Sequence, residues 1–197
     1  MSMAMLEYAK HFEMRGQQAR ARQIMQHTKR IAKTEWKTHF EAVLLEFRSG
    51  CFDVAEDLVN QSLSVHFATG RLWATLIQLQ HARARTEEDY DQAFRTFNHA
   101  LREIPKSGEV WCEGARISMA DHAMNPNFKF ENAERYLNFA IQFTPQYGDS
   151  FLEMLKLFIL TGQEDKIASL KQQCIHAEPN YGVLWFFYKD SSLDNAM

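Results

Sequence analysis

The sequence is short of the residues and motifs that mark enzymes, disulfide-bonded proteins and disordered chains. Its 4 prolines and 8 glycines among 197 residues are too few for a disordered or linker-rich chain. The 3 cysteines, Cys51, Cys112 and Cys174, lie about 60 residues apart, so neither a disulfide framework nor a zinc site is expected. No P-loop, GxGxxG, HExxH or GxSxG motif occurs. We therefore expect no catalytic, cofactor-binding or metal-binding residues and no enzymatic activity.

Long apolar runs and a strong net charge are also missing. The sequence has no stretch of 18 apolar residues and no signal-peptide pattern, so we expect an intracellular protein that does not contact membranes. The net charge of −3 argues against wholesale binding to nucleic acid. The charge is uneven, however, because residues 10–39 contain 8 basic and only 2 acidic residues.

What the sequence does contain is a repeat with a period of 34 to 40 residues. In its clearest copy, Ala93, Phe97 and Ala100 lie on one helical stripe, Pro105 ends that helix, and Trp111 opens the next one. The residues equivalent to Ala93 are Ala21, Ala55, Ala133 and Ile167. Each is followed 18 positions later by a residue that opens a helix, which we call an anchor; the anchors are Met5 (by backward projection), His39, Trp73, Trp111, Phe151 and Trp185.

Each repeat is predicted to be a hairpin of two helices. The first helix carries apolar residues at the anchor and three and four positions later, and the second carries a small–large–small stripe. Glycines at positions 16, 50 and 162 are expected to stop the first helix at a positive φ. A single hairpin cannot bury the apolar residues on both of its faces, so neighbouring hairpins must stack on each other. The sequence predicts an all-α α-solenoid, one domain over residues 1–197, with hairpins at about 3–32, 35–67, 70–103, 108–143 and 148–177 and a terminal helix at 182–190.

These motifs resemble the tetratricopeptide (TPR) superfamily, and they do so over nearly the whole chain. The aromatic anchors, and the pairs Ala21-Arg22 and Ala133-Glu134-Arg135 that open second helices, are more similar to the half-a-TPR (HAT) variant. The segments 105–111 (PKSGEVW) and 177–185 (AEPNYGVLW) are similar to the C-terminal HAT array of the tri-snRNP splicing scaffold. The resemblance implies a right-handed solenoid.

The resemblance also implies a function. We expect a non-catalytic protein–protein interaction scaffold that is a subunit or fragment of an RNA-processing assembly of the pre-mRNA splicing type, and hence nuclear; without that assignment it would be cytoplasmic. One alternative is RNA binding through the basic segment 10–39. A second is a co-chaperone TPR adaptor, which is disfavoured because Leu6 and Leu44 stand where the family has polar clamp residues.

By the same resemblance, the first helices line a partner-binding groove. The row five residues after each of the first five anchors carries three cations and no anion, so an acidic extended segment of a protein partner is the expected ligand. Two of these cations, Arg116 and Lys156, are expected to be dispensable for folding, whereas Trp111 should be buried. The predicted groove residues are Lys10, Lys37, Leu44, Arg48, Arg71, Gln78, Arg116 and Lys156.

The end of the sequence predicts a second contact surface. Four consecutive aromatic residues occupy positions 185–188, and at least one of Phe186 and Phe187 is expected to be exposed. We expect this terminal association surface to dock on a second copy, a partner subunit or further residues of a longer chain. The alternative is that residues 190–197 fold back over it.

Overall fold

The computed structural model describes the backbone of residues 2–193 and the side chains of residues 2–188. This part of the chain is built from α-helices joined by short turns, with one 3-10 turn at Glu164–Lys166. The α-helices are α1 (Ser2–Met14), α2 (Gln18–Ile31), α3 (Trp36–Arg48), α4 (Phe52–Val65), α5 (Gly70–Arg83), α6 (Glu87–Glu103), α7 (Gly108–Met119), α8 (Phe130–Phe143), α9 (Asp149–Leu160), α10 (Ile167–Ala177) and α11 (Val183–Leu193).

The chain divides into two compact units between residues 79 and 80, within α5. In unit 1, α1 packs against α2, α3 packs against α4, and α3 also contacts both helices of the first pair. In unit 2, α7 packs against α8 and also contacts α6 and α9, while α9 contacts α8, α10 and α11. The prediction of an all-α fold made of helical hairpins is confirmed. None of the helices within residues 2–193 is both long and apolar enough to cross a membrane.

Glycine ends the first helix of three hairpins, as predicted. Gly16, Gly50 and Gly162 have φ angles of 72°, 74° and 67°, a left-handed conformation that costs other residues free energy. The chain can therefore reverse within a few residues and start the second helix.

The small–large–small stripes lie in the core. In α8, Ala133, Leu137 and Ala140 are all fully buried. The same holds, at 0–4 % exposure, for the stripes of α2 (Ala21, Met25, Thr28), α4 (Ala55, Val59, Ser62) and α6 (Ala93, Phe97, Ala100). The stripe of α10 differs: Lys171 replaces the large apolar residue and is exposed, and Ile167 and Cys174 are only half-buried.

Three of the anchors share a hydrogen bond that the sequence did not suggest. The indole N–H of Trp73 donates to the carbonyl of Phe67 at 2.6 Å, and that of Trp111 donates to the carbonyl of Pro105 at 2.8 Å. His39 makes the equivalent contact from Nε2 to the carbonyl of Lys33 at 3.0 Å. In each case the acceptor lies six residues before the anchor, so the ring ties the start of the helix to the preceding turn. This explains why a histidine can replace a tryptophan here.

Trp111 is half-buried rather than buried, which corrects the prediction for this anchor. Its ring packs against Phe97, Tyr136 and Phe139, with ring centroids 5.8, 5.5 and 4.8 Å away. Because its N–H must reach a carbonyl in the turn, one edge of the indole stays at the surface.

Candidate partner-binding surfaces

In unit 1, two predicted groove cations are held by carboxylates. Lys10 Nζ lies 3.1 Å from Oε1 of Glu41 and 3.2 Å from Oε1 of Glu7. Arg48 donates two hydrogen bonds to the carboxylate of Glu13, at 2.6 and 2.8 Å. Burial lowers the pKa of Lys10. The negative charges of Glu41 and Glu7 and the hydrogen bonds to them raise it by more, so the pKa of Lys10 is raised overall. The hydrogen bonds from Arg48 to Glu13 likewise raise the pKa of Arg48. Both cations are thus neutralised within the unit.

In unit 2, Arg116 lies in a buried group of acidic residues, which we call the acidic cluster: Glu113, Asp149 and Glu153. Arg116 Nε donates to Oε1 of Glu153 at 2.8 Å, Nη2 lies 3.4 Å from Oδ2 of Asp149, and Nη1 donates to Glu113. The three carboxylates are 1–5 % exposed. Arg116 is therefore not a solvent-facing groove cation. Its contacts favour a role in stability, contrary to the expectation that it is dispensable for folding, because its loss would leave buried carboxylates without a counter-charge.

The same pattern of ion pairs occurs in both units. A cation five residues after the anchor lies between the glutamate two residues after its own anchor and the equivalent glutamate of the next repeat. Lys10 contacts Glu7 and Glu41 in this way, and Arg116 contacts Glu113 and Glu153. Two of the three cations that suggested an acidic ligand, Lys10 and Arg116, thus join consecutive first helices to each other.

Burial has consequences for the protonation of the acidic cluster. It raises the pKa of Glu113 to about 7, and repulsion from Glu153 and Asp149 adds to the rise while Arg116 opposes it. Lys156 Nζ is 3.7 Å from Glu153, so two cations face three carboxylates. The pKa of Glu113 therefore lies near neutral pH. Nearby His81 has a lowered pKa, first because of burial and then because Arg116 and Lys156 disfavour a further positive charge.

The other predicted groove residues are less constrained. Lys37 and Lys156 are exposed, while Leu44, Arg71 and Gln78 are half-buried on first helices of unit 1. At the two positions where a co-chaperone clamp would be polar, Leu6 is buried and Leu44 is half-buried.

Cations of the basic segment are also engaged in ion pairs. Arg22 donates two hydrogen bonds to Glu46, at 2.8 and 2.7 Å, and these raise its pKa. Arg20 lies over the ring of Phe12, 5.7 Å from the centroid. With Lys10 paired as well, the segment offers fewer cations to a phosphate backbone than its composition suggests. RNA binding through residues 10–39 stays a prediction.

The terminal association surface is exposed on α11. Phe186 is 51 % and Phe187 is 80 % exposed. The alternative, in which residues 190–197 cover these rings, lies outside the residues whose side chains are described. Docking through this surface stays a prediction.

Sequence reasoning missed the acidic cluster. A signal was present, because Glu113 and Glu153 each stand three residues before a cation at equivalent positions of two repeats. That spacing places both side chains on the same face of a helix, where they can pair. Asp149 had no such signal, because its contacts with Arg116 and with Tyr147, whose hydroxyl donates to it at 3.3 Å, depend on how the helices pack.

Paired helices with small–large–small stripes, glycine turns and aromatic anchors define a helical-repeat domain of the TPR type. The family model "PRP6, TPR-like domain" matches residues 1–197, so the chain belongs to this family. The resemblance to the TPR/HAT superfamily is thereby confirmed.

Two kinds of relatives support this assignment. A TPR-containing protein of Dictyostelium discoideum is 45 % identical over 166 residues, which are 84 % of this chain but only 12 % of that protein. The chain thus spans about an eighth of the length of that relative. Among solved structures, a TPR protein of Thermus thermophilus matches with a TM-score of 0.67 and 12 % identity, covering 98 % of both chains. PilF of Pseudomonas aeruginosa matches with a TM-score of 0.61 and 12 % identity, over 91 % of this chain and 78 % of that one. These structural likenesses show the fold alone.

Proposed function

We propose that this chain is a non-catalytic protein–protein interaction scaffold within an RNA-processing assembly of the pre-mRNA splicing type, acting in the nucleus. The observation that carries the proposal is the match of the PRP6 TPR-like family over residues 1–197 to a chain built of helical hairpins. Helical repeats of this kind present extended surfaces rather than closed cavities, which suits partner binding.

The structure also changes which residues should meet the partner. Among the predicted groove cations, Lys10 and Arg48 form close ion pairs with glutamates and Arg116 is largely buried, whereas Lys37 and Lys156 are exposed and Lys156 lies 3.7 Å from Glu153. We propose that acidic extended segments of a protein partner contact Lys37 in unit 1, where half-buried Leu44 contributes apolar contact, and separately Lys156 in unit 2.

Affinity purification tests the cellular role. The tagged chain should be recovered from nuclear extract together with proteins of splicing ribonucleoproteins, and recovery should survive RNase treatment because the contacts are between proteins. Absence of these proteins from the eluate in repeated purifications would refute the splicing assignment.

Charge reversal tests the groove. Lys37→Glu and Lys156→Glu should each reduce recovery of the partner, because attraction becomes repulsion. Lys171→Glu is a matched control, since Lys171 is an exposed lysine of a second helix, α10. Equal recovery with all three variants would move the contact away from the first helices.

A further inference from the structure

Unit 2 contains a cleft between two neighbouring hairpins that none of the predicted groove residues lines. It lies between α8, α9 and α10 and has a volume of about 190 Å³. Its floor is apolar and consists of Met154 and Phe158 of α9 and Leu170 of α10, which are 2–7 % exposed. An apolar cavity of about 150 Å³ is known to hold benzene, so this cleft has room for one six-membered ring with a small substituent.

The rim of the cleft is polar. An ion pair of 2.8 Å between Lys166 and Glu134 joins the 3-10 turn to α8 at the edge of the cleft. Lys166 Nζ also lies over the ring of Phe158, 5.3 Å from its centroid. Exposed amide and hydroxyl groups, which can donate to or accept from a bound hydroxyl, complete the rim: Asn138, Ser169 and Gln173.

The preceding hairpin shows which groups this position of the repeat accommodates. Tyr136 of α8 lies 34 residues, or one repeat, before Leu170 of α10. Phe139 stands in the same relation to Gln173. The ring of Tyr136 packs against rings of α6 and α7, with centroids 5.2 and 5.5 Å away. The second helix α8 thus brings two aromatic rings to the junction with its neighbours, whereas α10 brings a leucine and a glutamine.

The first helix at this junction also differs between the two hairpins. α9 has Met154 and Phe158 where α7 has Gly114 and Ser118. The large apolar side chains therefore come from the first helix in this hairpin, and no aromatic ring of the second helix covers them. A ring bound in the cleft would gain van der Waals contact with this floor.

The cleft lies at a junction inside the array of hairpins. It is bounded by helices of two stacked hairpins, α7–α8 and α9–α10. The following first helix, α11, contacts the beginning of α9: the Trp185 ring lies against Gly148, and the Trp185 backbone N–H donates to Asp149 at 2.9 Å. Stacking of a repeat on α9 thus takes place away from Met154 and Phe158, so a group that fills the cleft enters from the side.

We infer that this cleft binds a tyrosine side chain of a protein partner. The ring matches the volume and the apolar floor, while the hydroxyl can be hydrogen-bonded by the amide and hydroxyl groups of the rim. The ammonium group of Lys166 at the edge favours an aromatic ring beside it. The inference rests on the proposed scaffold role, because the ring comes from a protein, but not on the splicing assignment.

The probe is N-acetyltyrosinamide, which is a tyrosine without neighbouring residues. Titrated into the ¹⁵N-labelled full chain, it should give saturable NMR shift changes confined to amides of α8, α9 and α10. N-acetylserinamide has the same backbone and a hydroxyl but no ring, so it should give no saturable changes. N-acetylphenylalaninamide should bind about three- to tenfold more weakly, because it cannot make the hydrogen bond to the rim.

Filling the cleft from within the chain is the matched protein test. Gln173→Phe copies Phe139 of the preceding hairpin and should weaken binding of N-acetyltyrosinamide at least about tenfold, because two rings cannot occupy one space. Gln172→Phe is the control, since Gln172 is an exposed neighbour that does not line the cleft, and it should bind like wild type. If Gln173→Phe fails to fold, Ser169→Phe, also at an exposed rim position, provides the same comparison.

Several results would overturn the inference. They are the absence of saturable shifts, shifts centred outside α8 to α10, equal binding of the serine or phenylalanine compound, and undiminished binding by both filled variants. A wild-type dimer in light scattering that Gln173→Phe does not form would identify a second copy as the occupant instead of a partner. All of these use purified protein, so they remain distinct from failure of the purification from nuclear extract.

Discussion

At the residue scale, Arg116 shows how far a side chain's role depends on its surroundings. On a helical wheel it lies on the face expected to line a groove, as does Lys156. In the fold, Arg116 is 15 % exposed and contacts three carboxylates, whereas Lys156 is 60 % exposed. The two cations, predicted to be equivalent, therefore differ in what they do for stability.

Arg116→Met should lower the free energy of unfolding by about 3–5 kcal/mol, because it leaves Glu113, Asp149 and Glu153 buried without their main counter-charge. Lys156→Met is the control and should cost less than about 1 kcal/mol, as expected for a surface pair. Urea unfolding of the two variants measures both changes. Similar stabilities would show that the acidic cluster is solvated.

Glu113 should make the protein less stable as pH rises. Its pKa is about 7 in the folded chain against an ordinary value of 4.5, so between these two pH values the folded state keeps a proton that the unfolded state releases. The free energy of unfolding should therefore fall by about 3 kcal/mol across that window on account of this residue. Glu113→Gln, which cannot ionise, should remove this part of the pH dependence.

Unfolding measured at pH values on both sides of the window compares wild type with Glu113→Gln. Glu131→Gln serves as the control, because Glu131 is an exposed glutamate of α8, and it should keep the wild-type slope. A Glu113→Gln slope equal to that of wild type would mean that Glu113 is ionised throughout.

At the scale of helices, α6 and α7 approach each other closely at one glycine of α7. A Cβ at Gly114 would lie 2.4 Å from ring atoms of Phe97, and Phe97 is only 1 % exposed. The ring packs against Trp111 and Tyr136, so it has little space into which to move. Glycine in the middle of α7 is thus explained by close approach and not by its backbone freedom.

Gly114→Ala should destabilise the protein by about 1–3 kcal/mol through overpacking, although alanine is the better helix former. Thermal unfolding measures the loss. Phe97→Leu in the same background should recover part of it, because the shorter side chain makes room for the added methyl group. If Gly114→Ala instead raises the melting temperature, α6 and α7 are not in this close contact.

At the scale of the whole molecule, ion pairs within the fold reduce the number of cations that a phosphate backbone could contact. The net charge is −3, and the cations Lys10, Arg22 and Arg48 of unit 1 are each bound to a glutamate. Electrostatic binding to phosphates requires cations that can release counter-ions from the nucleic acid, and cations already paired with carboxylates contribute less.

The full chain should therefore not retain single-stranded RNA in a filter-binding assay at low salt and micromolar protein concentration. Salt-sensitive retention would contradict this expectation. In that case, a variant with Arg30→Glu and Lys33→Glu, at two exposed positions of the basic segment, would show whether that segment is responsible.

Much of the fold was predictable because it follows from local spacing. Apolar residues at helical intervals predicted the helices, the alanine stripes predicted the buried faces of α2, α4, α6 and α8, and glycine predicted the turns at Gly16, Gly50 and Gly162. Each of these features depends on residues close together in sequence, so the pattern of the repeat is enough to find it.

The candidate sites were predicted less well, because they depend on residues far apart. The sequence determined that Arg116 lies on the face of a first helix, but whether it is free or paired depends on Asp149 and Glu153, which belong to the next repeat. The position of α11 likewise depends on a carboxylate of α9. By itself the sequence determined the helices, their buried stripes and the family. Only the tertiary structure decided which charges are neutralised and which aromatic residues stay exposed, since both depend on distances between helices.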